Sequence, residues 1–271
     1  MLIRLGYDIQ FDVRFGATFL ALLRVHPSRQ ADLQEPDLVQ VAPLVPVEDY
    51  TDLYGNIGTR FLCPAGPVRL SASCVVRDSG ELDAIAPDAC EVPVHTLPPQ
   101  TLPYLTNSRY CEVDLMSPIA ADLFGGCTPG WGRVQSVCDW VKQHVGFDYT
   151  KARPTKTALE TYTERVGVCR DFQHLAITFC RALNIPARYA TGYLGDIGVP
   201  AAPDPMDFSA WFEAYLSGQW WTFDARHNQR RIGRVLVATG RDATDVAITT
   251  TFGEVKLTRF TVVTEQVKEE A

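Results

Sequence analysis

An α+β fold in two parts is what this sequence predicts. Residues 1–125 read as a strand-rich, β-sandwich-like half, and residues 126–271 as helices followed by mostly antiparallel strands. Three observations carry that expectation. Short apolar runs in the first half are separated by Pro, Gly and Asp, the punctuation of strands. From Trp131 the apolar residues change to a helical period. After Ala187 the runs are strand-like again, and two of them flank Ser217-Gly218, a two-residue hairpin turn.

Composition bounds the function. Of 271 residues, 46% are hydrophobic and 21% charged, so the chain has apolar surface enough for a core and disorder is not expected. A net charge of −7 argues against general binding to nucleic acid or an anionic membrane. No apolar run approaches the ~20 residues needed to span a bilayer. Ala17–Val25 is too short, is interrupted by Arg24, and lacks the basic flank and cleavage site of a signal peptide. The eight cysteines form no CxxC pair and do not cluster with histidines, so neither a metal nor an organic cofactor is expected. The same usage suits buried thiols in a reducing, cytoplasmic compartment.

The elements follow in order. Leu5–Val13, Ala17–Val25, Val68–Val76 and Cys90–Leu97 read as strands, and Asp52 to Asn56 as a turn. The Pro-rich stretch Leu97–Leu105 is the best linker candidate. Val134, Val137, Cys138, Val141 and Val145 line one face of a helix that Gly146 stops. Thr157 with Glu160 is a capping box for a short helix ending near Gly167. A further helix starts at Cys169, with Phe172, Leu175, Ala176, Phe179, Cys180 and Leu183 as its apolar stripe and Asn184 and Pro186 as its stop. Strands follow at Ala187–Leu194, Ser209–Leu216, Gln219–Asp224, Arg234–Ala238 and Leu257–Val267. The loop Gly195–Asp207 enters the hairpin and is placed to cover a cleft there.

Cys169 is the most informative residue. It stands at a helix start, where free N–H groups and the helix dipole favour a thiolate, the nucleophilic form. A cysteine nucleophile needs a base and a group that orients it, and these come from other segments of the chain. Asp224, at a strand end, is a carboxylate placed for the orienting role.

The motif Gly167-Val168-Cys169-Arg170-Asp171-Phe172, the run Arg181 to Tyr189, Gly192-Tyr193, and Ala210-Trp211-Phe212-Glu213 through Phe223-Asp224 resemble the bacterial transglutaminase-like family over roughly residues 130–240. Tyr50 to Asn56 looks like part of the β-rich domain that often precedes that core. The resemblance implies a papain-like core and a Cys-His-Asp triad, with Cys169 as nucleophile and Asp224 as orienting acid. The family's histidine position, before Ala210-Trp211, is Ser209 here, and serine has no basic group near neutral pH. Three readings stay open. His227 substitutes as the base, the site is kept for binding only, or the helix end alone stabilises the thiolate.

Other residues have plainer expected roles. His174, about 140° round the helix from Cys169 by α-helical geometry, is placed for a structural hydrogen bond. Asp171 suits the helix N-terminus. Trp211, Trp220 and Trp221 read as core, and Arg188 as an ion-pair residue. The function that follows is thiol acyl chemistry on a peptide or protein amide, by hydrolysis or transamidation through a Cys169 acyl-enzyme. The alternative is a catalytically silent module holding a peptide ligand in the same cleft.

Overall fold

The computed structural model describes residues 1–201 and 205–267. The first half is built on two strands of unusual length, joined by two short ones. They are β1 (Leu2–Ala21), β2 (Gln40–Ala42), β3 (Val47–Thr51) and β4 (Ile57–Arg77). β1 and β4 pair antiparallel from Leu2↔Arg77 to Ala21↔Thr59, with a register shift between Val13 and Gly16. Alternation explains the face that packs: Ile3, Leu5, Tyr7, Ile9, Phe11 and Val13 are buried along β1. β2 and β3 lie against the two ends of β4.

The segment 90–97 is not a strand. Pro93 and Pro98 remove ladder donors, and the segment is a strap held from outside. The Cys90 N–H donates to Ser217 Oγ (2.8 Å), and Glu91 Oε1 accepts from Gly130 N (2.9 Å) and Arg133 Nη1 (2.7 Å). The Pro-rich stretch after it is not a free linker either. Pro99–Leu105 forms a 3-10 helix that buries Thr101 and Tyr104, with the Tyr104 ring 5.3 Å from Trp220.

The helices are α1 (Val113–Phe124), α2 (Trp131–His144), α3 (Ala158–Glu164) and α4 (Cys169–Ala182). The Thr157–Glu160 capping box is present at α3, which ends three residues before Gly167. Two-residue strands β5 (Gly146–Phe147) and β6 (Val166–Gly167) pair in parallel just before α4. β7 (Ala187–Tyr193), β8 (Ser209–Leu216), β9 (Gln219–Phe223) and β10 (Val235–Gly240) form a sheet in the order β10-β7-β8-β9. Ser217 (φ 49°) and Gly218 (φ 87°) make the β8–β9 hairpin, both with positive φ as a type I′ turn requires.

α4 is covered on all sides, by α1, α2 and α3 and by β7 and β8. Every residue from Asp171 to Arg181 is buried, not only the apolar stripe. Each polar side chain therefore needs an internal acceptor or donor. Arg181 donates to Ala187 O (3.0 and 2.9 Å), Thr106 O (3.1 Å) and Arg241 O (2.5 Å). His174 Nε2 accepts from Ala243 N (3.1 Å), the structural role its helical position implies.

The chain then returns to its beginning. β11 (Thr249–Phe252) and β12 (Val255–Gln266) pair with β1, completing a six-stranded sheet. These strands and α1, which packs on α4, cross the division at 125/126. Pairing is non-local, so nothing in the local pattern of Leu257–Val267 announces a partner some 250 residues away. α1 carries Pro118 in its interior, which hides a helix from a reading based on breakers.

One side chain ties the first sheet to the second. Asn56, at the turn read from sequence, is fully buried; it donates to Thr239 O (2.8 Å) and accepts from Thr239 N (2.8 Å) on β10. Asn56→Ala removes both bonds and leaves buried backbone groups unpaired. It is expected to destabilise the protein by about 2–4 kcal/mol, read as a fall in Tm of roughly 5–15 °C in thermal melts. A shift of under about 2 °C would show that the sheets are joined by other means.

Candidate active site

Cys169 is the first residue of α4, and the turn that delivers it is held closely. A Cβ on Gly167 would meet Asp171 Cβ at 2.7 Å, so glycine there is a matter of space. Asp171 folds back over that glycine, and its Oδ2 accepts from Val168 N (2.9 Å), capping the helix as its first-turn position implies. The fully buried Lys156 donates to Val166 O (2.5 Å), and Arg170 Nη2 to Arg153 O (2.5 Å).

The Cys169 sulfur sits under opposing influences. Burial pushes the Cys169 thiol up to about 11; the Arg226 guanidinium and a hydrogen bond from Arg170 N–H oppose this, while Asp207 and Asp171 reinforce it. Desolvation is the largest of these influences and disfavours the charged sulfur. This direction runs against the thiolate that the helix start by itself favours. A sulfur that attacks from here must first lose its proton to a base.

Asp224 follows the last residue of β9, and its side chain is only 2% exposed. Its Oδ1 accepts from Arg226 N (3.0 Å), His227 N (3.1 Å) and Gln173 Nε2 (3.1 Å). Its Oδ2 accepts from Arg234 Nη2 (3.0 Å) and faces His227 Nδ1 at 2.8 Å. Burial alone would raise this carboxyl; Arg234, then His227, outweigh it and hold it far below the ordinary carboxylate range. An ionised carboxylate only accepts, so neutral His227 carries its proton on Nδ1 and its lone pair on Nε2.

A cavity of about 340 Å³ is bordered by Cys169, Ser209 and His227 together. Three of the four residues singled out from sequence thus share one cavity, and Asp224 reaches it through His227. Ser209 opens β8 opposite Gly192 of β7. The Gly195–Asp207 loop contributes Asp196, Ala201, Met206 and Asp207 to the wall; residues 202–204 of that loop lie outside the described residues. The loop is anchored by Arg231 Nη2 on Gly195 O (2.8 Å) and by Thr264 N on Met206 Sδ (2.9 Å), so the returning strand β12 helps to set the cavity wall.

Several contributors escaped the reading of the sequence. Gln173 stands four residues after Cys169, a spacing that puts the two on one helix face, and it bridges Ala210 O (3.2 Å) to Asp224. Arg234 carries no local signal; only the entry into β10 brings it to Asp224. Arg188 pairs with Glu213 (2.6 Å), as expected. Among the described residues there is no group of three or more His, Cys, Asp or Glu side chains suited to a metal ion, and no helix is long and apolar enough to cross a membrane.

Comparison with known proteins bears on this arrangement. The family model for the transglutaminase-like superfamily matches residues 117–225, a span that includes Cys169, Ser209 and Asp224 and stops two residues short of His227. A crystal structure from Cytophaga hutchinsonii, of a candidate cysteine protease, is 31% identical and has a TM-score of 0.85. That similarity covers 100% of this chain and 92% of the other. An uncharacterized protein of Mycobacterium leprae is 30% identical over 118 residues. The match is 42% of each chain, so less than half of that curated relative's length is spanned.

Two measurements check the electrostatics. Asp224 has a folded-state pKa below its unfolded value, so it stabilises the protein above its ordinary pKa of about 3.9 and that stability is lost as pH falls through the folded value. Asp224→Asn leaves Arg234 with a buried, half-compensated charge and is expected to cost about 3–5 kcal/mol at neutral pH. In melts from neutral to acid pH the gap between variant and parent should narrow below about pH 4; a constant gap would contradict the depressed carboxyl. Alkylation of Cys169 by iodoacetamide, resolved from the other seven cysteines by peptide mass mapping, should climb with pH beyond the free-thiol value of about 8.5. A plateau already reached below pH ~7 would mean a standing thiolate–imidazolium pair instead.

Proposed function

The chain belongs to the transglutaminase-like superfamily, and on that premise we propose that it carries out thiol-dependent acyl chemistry on a peptide or protein amide. The observation that carries this reading is the His227–Asp224 pair at 2.8 Å, with His227 and Cys169 on the wall of one cavity. In this reading His227 replaces the histidine that the family has at the Ser209 position. Its Nε2 takes the thiol proton as the Cys169 sulfur attacks the amide carbonyl carbon. The tetrahedral intermediate collapses, the C–N bond breaks, and the imidazolium returns the proton to the leaving amine. Water or a second amine then attacks the thioester, giving hydrolysis or transamidation and regenerating the thiol. The N–H groups at the start of α4 suit the oxyanion, and Asp224 keeps the imidazole in the required tautomer. With all eight cysteines unpaired, a reducing, cytoplasmic location belongs to the same proposal.

A second reading has its own support. Ser209 at the family's histidine position and the raised Cys169 thiol suit a silent module that holds a peptide ligand. Three variants separate the two in assays of peptide-amide cleavage and of primary-amine incorporation into glutamine peptides. His227→Ala should lower turnover by roughly 10²–10⁴-fold if it is the base, and unchanged turnover sinks that role. Cys169→Ala should abolish turnover and leave peptide binding intact. An inactive parent that gains turnover on Ser209→His would establish a decayed triad and the binding-module reading.

A further inference from the structure

Among the described residues, the cavity holds one cation whose partners are incomplete. Arg226 lies between Asp224 and His227 in the chain, and its backbone N–H is fixed on Asp224. Its guanidinium stands over the Phe147 ring, 3.9 Å from the centroid, and borders the cavity. Phe147 pairs with Gly167, two residues before Cys169, so the cation is seated beside the turn that delivers the sulfur. An aromatic face engages the charge of a guanidinium and leaves its in-plane N–H donors for another acceptor. Among the described residues, none accepts from them.

Its neighbours are committed. Arg231 is bound to Gly195 O and Asp196 (3.4 Å), Arg234 to Asp83 and Asp224, and Arg170 to Arg153 O. The remaining carboxyl on the wall, Asp207, feels the Arg226 charge but makes no hydrogen bond with it: it is bound to Phe208 N (2.6 Å), and burial raises it despite Phe208 N–H and Arg226. A planar cation whose donors meet no acceptor among the described residues, propped on an aromatic ring at the rim of a nucleophile's cavity, is built to take a carboxylate.

We propose that Arg226 anchors a carboxylate on the peptide occupying the Cys169 cavity, so that the site selects acidic peptides, with a Glu or Asp side chain or a free C-terminus next to the reacting amide. This rests on the reading of the cavity as a peptide site and does not require turnover.

The test compares two reagents of nearly equal size. Iodoacetate carries the carboxylate and iodoacetamide the neutral amide, and each alkylates Cys169 with loss of iodide. At about pH 9, where a useful fraction of the thiol reacts, the iodoacetate-to-iodoacetamide rate ratio at Cys169 should exceed that of the exposed Cys90 by about tenfold. Arg226→Gln should remove the preference and Arg226→Glu reverse it. The ratio is the readout because loss of the cation lowers thiolate formation for both reagents alike. In a second measurement, the acidic peptide acetyl-Ala-Glu-amide should protect Cys169 from iodoacetamide at about tenfold lower concentration than acetyl-Ala-Gln-amide, a difference absent from Arg226→Gln. Equal ratios at Cys169 and Cys90, a preference that survives Arg226→Gln, or failure of both reagents to reach Cys169 each overturns the proposal. A charge preference without amide turnover would remove the enzyme reading alone. Turnover without a charge preference would remove this inference alone.

Discussion

The buried carboxylate of Asp224 is the constraint around which the second half is arranged. Its two oxygens meet five donors: a helix side chain (Gln173), two backbone N–H groups of the turn that follows, the His227 ring, and Arg234 at the approach to β10. An ion buried this deeply is tolerated only when its lone pairs are met and a counter-charge is close. Satisfying it aligns α4, the end of β9 and the entry to β10 in one geometry. The orientation of His227, and with it any chemistry at Cys169, follows from that packing.

Burial acts in opposite senses on the two ends of the site. At Asp224 desolvation is overcome, because Arg234 and His227 bind the charged form directly. At Cys169 it prevails, because the sulfur has one backbone N–H and the Arg226 cation in its favour, with Asp207 and Asp171 opposing. The site therefore sets a raised thiol and an imidazole held by an ionised acid on the wall of one cavity. Such a site depends on proton transfer at the moment of attack, whereas a ligand-binding site needs none. The same geometry thus frames both functional readings, and the basicity available at His227 separates them.

The first sheet is a structural partner of the site rather than an appendage. β12 returns to β1, and on the way Thr264 holds Met206 in the loop that walls the cavity. Asn56 supplies β10 with the hydrogen bonds that a neighbouring strand would have made. The strand-rich half is thus hydrogen-bonded both to the loop bearing Met206 and Asp207 and to the strand whose approach carries Arg234.

What the sequence determined by itself is local. The helix at Cys169, the Thr157 capping box, the Ser217-Gly218 hairpin and the Asp52–Asn56 turn follow from periodicity and from side chains that bond within a few residues of themselves. The candidates Cys169, Ser209, Asp224 and His227 were likewise legible, because nucleophile, acid and family motif are read as residue types at intervals. Tertiary structure alone decided the rest. The strand expected at 90–97 became a strap, since its donors found Ser217 and its Glu91 found Arg133 instead of a ladder. The strand at 255–266 was legible as a strand, but its partner was not, since antiparallel pairing carries no address for distant segments. At Cys169 the helix dipole is a local influence legible in the sequence, whereas desolvation by everything packed around the sulfur belongs to the fold. The pairing of His227 with Asp224, and the approach of Arg234 and Arg226 to that pair, exist only once α4 is wrapped and the turn after β9 closes on it.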